Sequence, residues 1–354
     1  MIWLIRLLLS PFALLYGLII LFRNLLYQSK IFTRTSFDVP IICIGNISVG
    51  GTGKTPHIEW LIRELQATYK PAVLSRGYKR KTTGYVLGDA QATPASVGDE
   101  PFQIAQKFPE ITVAVSENRV LGIPHLLGDA PQTQVVLMDD GFQHLPIKPG
   151  YSIILTDYNN PFYNDWLMPA GTLREFRSAY KRADCIIVTK CPSSISEEQK
   201  QTFIHKINPQ GQLVLFSQIV YGEPVQLMGA PTDPATIKHV LAFSGIAKKQ
   251  LFIDELSRQF GEVKTLSFAD HKEYSTVTLQ HIVRNLNQLP EDKRAVFTTE
   301  KDAVKLNTNL ARELFGDTPV FYLPITIQLS EKDTTLLMDQ LIPFIESFNN
   351  DDDE

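Results

Sequence analysis

Cysteine is scarce: Cys43, Cys185 and Cys191 are an odd number without CxxC spacing. Such a set supports neither a disulfide framework nor a zinc site, and it fits a reducing compartment. An excess of basic charge is missing too, because 38 acidic residues outweigh 34 basic ones and the formal net charge is -4. That balance argues against binding nucleic acid by bulk electrostatics, so any basic site has to be local. No internal repeat and no low-complexity linker interrupts the 354 residues, which are too many for one ordinary small domain and enough for two. A further absence is confined to one end. Residues 1–37 carry Arg6, Arg23, Lys30 and Arg34 but no Asp or Glu, which suits an anionic lipid surface.

Within that end, residues 7–22 (LLLSPFALLYGLIILF) are sixteen residues broken by Pro11 and Gly17, short of the roughly 20 that span a bilayer. The expectation is a peripheral or monotopic helix lying in the membrane interface. A cleaved signal is disfavoured because Arg23-Asn24-Leu25-Leu26-Tyr27 follows the run in place of a small-residue cleavage site. The bland alternative is a buried core helix.

From Pro40 onward, short apolar runs alternate with helical stretches. Residues 41–44, 72–75, 111–115, 135–138, 153–156 and 185–188 read as strands. Their apolarity is continuous rather than alternating, as in a parallel sheet covered by helices on both faces. Residues 38–210 therefore read as a doubly wound α/β layer, with ligands expected at the carboxyl ends of its strands. A new alternation begins near Lys238, with strands at 240–244 and 295–298 around a helical 250–260. Residues 212–220 and 320–329 are β-rich and read as a two-stranded hinge between the domains.

The strand at 41–44 runs into Ser48-Val49-Gly50-Gly51-Thr52-Gly53-Lys54-Thr55, and a helical stretch follows. Strand, glycine loop and helix in that order make a phosphate cradle. Backbone N–H groups and the positive helix end meet phosphate oxygens, Lys54 reaches the β and γ phosphates, and Thr55 can ligate Mg2+. Ser48 stands where G-x-x-x-x-G-K-[ST] has its first glycine; Gly50, Gly51 and Gly53 keep the conformational freedom. A second component is the run 135–138, which ends in Asp139 and Asp140, carboxylates placed to hold magnesium opposite Thr55. Thr189-Lys190-Cys191-Pro192 lacks the Asp of a guanine-reading motif, so ATP is the expected nucleotide.

Taken together, 45–56 (GNISVGGTGKTP), 75–80 (SRGYKR), 97–101 (VGDEP), 139–144 (DDGFQH), 169–176 (PAGTLREF), 243–247 (FSGIA), Asp270-His271 and 299–305 (TEKDAVK) resemble the tetraacyldisaccharide 4'-kinases of lipid A biosynthesis. The resemblance covers nearly the whole chain, and the family shares the Ser at the loop's first glycine position. Lys272 stands where a second His is common, so only His271 is carried over.

The resemblance implies an ATP- and Mg2+-dependent kinase acting on an acylated glucosamine disaccharide 1-phosphate at the cytoplasmic face of a Gram-negative inner membrane, with no nucleic-acid partner. Its fold would be a P-loop NTPase-like, mostly parallel α/β sheet with a second, smaller α/β domain and an N-terminal membrane-surface helix. The expected units are the helix at 1–37, the kinase core at 38–211, a hinge strand and linker at 212–230, the second domain at 231–319, and a return strand, helix and acidic tail at 320–354.

By the same resemblance Asp99 is the base that takes the attacking hydroxyl's proton, paired with His271 from the second domain. From the residues alone, Asp99 reads as a helix N-cap ahead of residues 102–107, and His271 as a surface histidine. Lys54 and Arg174 are the candidate catalytic cations. Arg76, Lys79, Arg80 and Asn46 are candidate substrate contacts, since arginines suit bidentate phosphate binding. Glu175 either orients Arg174 or joins Thr55, Asp139 and Asp140 as a metal ligand through water. Two rivals remain: a membrane-recruited P-loop ATPase without a small lipid substrate, and a nucleotide-binding scaffold without turnover.

Overall fold

The computed structural model describes residues 2–246, 248–270, 272–306 and 309–349. In chain order the strands are β1 (Ile41–Asn46), β2 (Pro71–Ser75), β3 (Val86–Leu87), β4 (Thr112–Val115), β5 (Val135–Asp139), β6 (Tyr151–Asp157), β7 (Cys185–Thr189), β8 (Leu213–Tyr221), β9 (Val225–Met228), β10 (His239–Ser244), β11 (Val263–Ser267), β12 (Arg294–Thr299), β13 (Val320–Leu323) and β14 (Ile325–Leu329). They form a nine-stranded sheet, ordered β14-β8-β7-β6-β1-β5-β2-β4-β3, and a five-stranded sheet, ordered β11-β10-β12-β13-β9. Only β14, β3 and β9 run antiparallel to their neighbours.

Both faces of the larger sheet are buried, which explains its unbroken apolar runs. Along β1, Ile42 and Ile44 enter one core layer with Ile58, Leu61 and Leu65, while Ile41 and Cys43 enter the other with Met138, Ile154 and Ile186. The helix Lys54–Leu65, here α2, covers the first layer. Beside it lies the C-terminal helix Glu331–Asn349, whose Leu337, Leu341 and Ile345 recur every four residues and are fully buried. Burying each such side chain is worth about 1.5–3 kcal/mol. Since β1 lies between β5 and β6, the chain leaves it toward β2 on one side and later returns to its other side. The end of β1 is thus a topological switch point, where open α/β sheets bind ligands.

Three expectations change on contact with the structure. First, the N-terminal helix α1 (Ile2–Gln28) runs unbroken through Pro11 for 27 residues, and it is long and apolar enough by length and composition to cross a membrane. Its inner face carries Ala13, Gly17 and Ile20, buried against the body, while Trp3, Leu8, Phe12, Leu15, Ile19 and Phe22 are exposed. Gly17 suits this close approach, because a Cβ would lie 3.1 Å from both the Leu167 and Phe176 side chains, which would have to shift by a few tenths of an ångström. Second, 320–329 is not one strand: Pro324, which has no N–H to give a ladder, divides it into β13 of the small sheet and β14 of the large one. Third, β8 is not a free ribbon. Leu213–Phe216 pair with β7 inside the sheet, and only Ser217–Tyr221 pair with β14. The small sheet also takes in β9 and β13, both outside 231–319. Strands β3, β9 and β11 escape the sequence pattern because they are short or partly exposed.

Candidate functional site

Between β1 and α2 the chain makes the loop Ser48–Thr55, and Gly50 and Gly53 have φ of 114° and 92°, values that favour glycine. No side chain caps α2 at Gly53, so its first-turn N–H groups are free of a side-chain acceptor. The loop's carbonyls are drawn backward. Lys190 Nζ donates to the Gly51 carbonyl, Thr189 Oγ1 to Thr52 at 2.9 Å, and His57 Nδ1 to Gly53 at 2.7 Å. Pinning carbonyls on one side leaves the peptide N–H groups on the other, the arrangement of an anion nest. His57 is fully buried, and that burial holds its ring at about 4, so it is neutral at pH 7. With Nδ1 donating, Nε2 accepts from Ser217 Oγ at 2.9 Å.

One flank of the loop is zipped to residues 165–176. Val49 N–H donates to the Thr172 carbonyl at 2.7 Å and Arg174 N–H to the Ile47 carbonyl at 2.7 Å. This places the Arg174 guanidinium on Asp140, with Nη2 2.8 Å from Oδ1 and Nη1 3.1 Å from Oδ2. Lys54 Nζ is 3.7 Å from the same carboxylate.

At the end of β5 the two carboxylates differ. Burial raises Asp139 to about 6, helped by the charges of Glu100 and Asp140. Its Oδ2 accepts from Ser75 Oγ at 2.8 Å, while its buried Oδ1 has no hydrogen-bond partner among the described residues. Burial would raise Asp140 as well, but Lys54 and Arg174 prevail and hold it at about 2. An orphaned carboxylate oxygen on a residue lining the same cavity as Thr55 and the anion-binding loop belongs to an oxygen donor set that suits Mg2+.

These groups line a cavity of about 590 Å³ whose other walls carry Arg76, Lys79, Asp99, Glu100, Lys248 and Lys301. Asp99 opens the helix Asp99–Lys107, and Gly98 occupies the capping position that Asp99 was expected to fill. The Asp99 carboxylate instead faces the small sheet, where Lys305 Nζ lies 3.0 Å from its Oδ2. Lys305 is in turn 3.5 Å from Asp302, a fully buried residue.

The whole chain resembles known proteins. A family model described as Tetraacyldisaccharide-1-P 4'-kinase matches residues 5–342. The chain belongs to the tetraacyldisaccharide 4'-kinase family. A tetraacyldisaccharide 4'-kinase of Flavobacterium johnsoniae is 43% identical over 326 residues, covering 91% of this chain and 92% of the relative. One of Bacteroides thetaiotaomicron is 41% identical over 355 residues, covering 95% and 92%. A crystal structure of LpxK from Aquifex aeolicus, titled an "apo" form in complex with ATP, superposes with a TM-score of 0.75 at 29% identity, covering 97% of this chain and 99% of that one.

Within this family member, three expected site residues lie elsewhere. Glu175 is fully buried and bonded by Arg182 at 2.9 and 3.2 Å, with Arg23 of α1 at 3.5 Å; it neutralises arginines beneath α1 and does not line the cavity. Arg80 is 2.6 Å from Glu117 and also bonds the Gly84 carbonyl, so it fastens its own loop. Asn46 is buried, with Nδ2 on Thr52 Oγ1 at 2.9 Å and Oδ1 on Arg174, and it shapes the cradle from beneath. His271 lies outside the described residues. The sequence reading assigns no role to His57, Arg119 or Lys305, and Thr189 and Lys190 figure there only in excluding a guanine-reading motif. Arg119 is buried and donates to the Asp139 and Asp140 carbonyls, both at 3.2 Å. Lys305 ends TEKDAVK, Lys248 directly follows FSGIA, and His57 directly follows GNISVGGTGKTP.

Proposed function

We infer that this kinase transfers the γ-phosphoryl group of ATP to the 4'-hydroxyl of a tetraacylated glucosamine disaccharide 1-phosphate, a step of lipid A biosynthesis. The observation that carries this reading is that, in a chain of this family, one cavity joins the phosphate loop and Asp139-Asp140 to Asp99 on another wall. The 4'-oxygen attacks the γ-phosphorus, the bond from phosphorus to the β–γ bridging oxygen breaks, ADP leaves, and Asp99 accepts the hydroxyl proton. Lys54 and Arg174 exchange from Asp140 to phosphate oxygens as the triphosphate enters, which neutralises charge where it develops. Thr55 and Asp139 would hold Mg2+, which would supply charge to screen the β and γ phosphates. Arg76 and Lys79, exposed at the cavity rim, meet the lipid's own phosphate. His271 is assigned beside Asp99 by family resemblance.

The apolar outer face of α1 supports a reading in which the enzyme works on a membrane, and its need for ATP favours the cytoplasmic face of the inner membrane. The two sheets act as lobes, with β8 and β14 as the hinge.

Purified protein incubated with ATP, Mg2+ and the disaccharide 1-phosphate lipid should yield stoichiometric ADP and a new phosphate at the 4' position. ADP formation that ignores the lipid would support the membrane-recruited ATPase instead. In the same assay, removing residues 1–30 should cut turnover on vesicle-embedded lipid by roughly tenfold or more and spare a soluble short-chain analogue. Equal losses on both would make α1 a core helix.

A further inference from the structure

The flank of the phosphate loop opposite Arg174 holds a charge cluster that the transfer mechanism does not use. Lys190 follows β7 with φ of 59°, an unusual conformation for a long side chain. It directs a nearly buried ammonium to the Gly51 carbonyl and, at 2.9 Å, to Asp157 Oδ2. Asp157 ends β6, is 3% exposed, and is oriented by Asn159 N–H on its Oδ1 at 3.0 Å. On the same Oδ2, at 2.8 Å, sits Lys248 Nζ. Lys248 belongs to the other lobe, in the segment that follows β10 of the small sheet.

We propose that Lys190, Asp157 and Lys248 form a brace for the phosphate loop that is complete only when the small sheet is docked, and that Lys248 is thereby a positioning residue for ATP. A carboxylate oxygen shared by two ammonium groups pulls less on each. With Lys248 in place, Lys190 remains available to hold the Gly51 peptide with its N–H toward the phosphates. Without Lys248, the full attraction of Asp157 falls on Lys190 and draws it off the loop. Lobe position is thus converted into the orientation of one peptide group, and by reciprocity bound triphosphate favours docking.

This proposal rests on the ATP-dependent activity inferred above, so the decisive reading is taken on binding as well as turnover. The probe is a non-hydrolysable ATP analogue with Mg2+, titrated calorimetrically into the full chain. Lys248→Met should weaken analogue binding and raise the KM for ATP about five- to tenfold, the scale of one partly exposed ion pair coupled to a loop. Both kcat and the KM for lipid should stay within about twofold, and Lys248→Arg should restore binding to that margin. Since the Lys248 side chain is 43% exposed, its replacement leaves the fold intact.

In a Lys190→Met background the Lys248→Met loss should shrink below about twofold, because the relay is already cut. Unchanged affinity in Lys248→Met, or an arginine variant as impaired as the methionine one, would overturn the brace. Persistence of the full loss in the Lys190→Met background would overturn it too, by making Lys248 a direct nucleotide contact. A wild-type protein that binds the analogue but leaves the lipid unphosphorylated would sink the kinase reading alone.

Discussion

The two sheets turn their strand ends toward one cavity and furnish it in opposite ways. The nine-stranded sheet supplies a loop of backbone N–H groups and the carboxylates Asp99, Glu100, Asp139, Asp140 and Asp157. The five-stranded sheet supplies Lys248, Lys301 and Lys305, each from a segment that follows β10 or β12. These lysines reach Asp157, Glu100 and Asp99 at 2.8, 3.0 and 3.0 Å. One lobe therefore has its chemistry assembled on a buried scaffold, and the other brings three lysines to it, along with Glu300, which pairs with Lys107 at 2.6 Å. Ion pairs that keep some access to solvent are individually weak and screened by salt, unlike the apolar layers under β1. Such a join can open and close without disturbing either core.

The strongest way to break this contrast is at the loop. Lys54→Ala should lower phosphoryl transfer by about a thousandfold or more, because the charge that follows the γ-phosphate is gone. Near-wild-type turnover in detergent micelles would show that the cradle is not where transfer occurs.

An intermediate effect is expected across the cleft. Lys305→Met should reduce kcat by about ten- to a hundredfold while analogue affinity stays unchanged, since Lys305 positions the proposed base and touches no loop residue. The double variant with Asp99→Ala should be scarcely slower than Asp99→Ala alone. Multiplicative losses would mean that the small sheet does chemistry of its own, and the division of labour would fail.

The smallest effect concerns stability. An exposed His57 in the unfolded chain takes a proton near pH 6.5, whereas the buried ring resists until about 4. In that window the unfolded state binds more protons, so stability falls as pH drops from 6.5 toward 4 and levels off below. The change is at most about 3 kcal/mol. Urea melts at pH 7 and pH 5 should differ accordingly, and His57→Gln should flatten part of the slope. His144, which burial also holds at about 4, adds to the slope, while Asp139, raised to about 6, opposes it. An unaltered slope in His57→Gln would free the loop from its link to β8.

The phosphate loop and Asp139-Asp140 were legible because each is a contiguous run whose position after an apolar strand fixes its geometry. Glu175, Arg80 and Asn46 misled for the converse reason: adjacency to a motif does not say which way a side chain turns, and each found a different partner close by. Lys190, His57 and Lys248 could not be read at all. Their meaning lies in partners 139, 160 and 91 positions away, a pairing that only the strand order creates. Pro11 and Gly17 looked like interruptions, yet the helix runs through both and uses Gly17 for close packing. Pro324 was visible and would have divided β13 from β14 had its missing N–H been given full weight.

Tyr16 of α1 donates to the Arg174 carbonyl at 2.9 Å, and Arg6 and Arg23 reach Asp165 and Glu175. The strip of chain that receives these contacts also hydrogen-bonds Val49 at the mouth of the phosphate loop. Anchor and cradle are therefore bolted to opposite edges of one short plate. On the proposed membrane seating of α1, this plate would act as a gauge, setting the height and tilt of the triphosphate above the headgroups. A sugar hydroxyl held at a fixed depth by its own acyl chains would then meet the γ-phosphorus at one elevation, and a change in bilayer thickness would be felt as a change in reach.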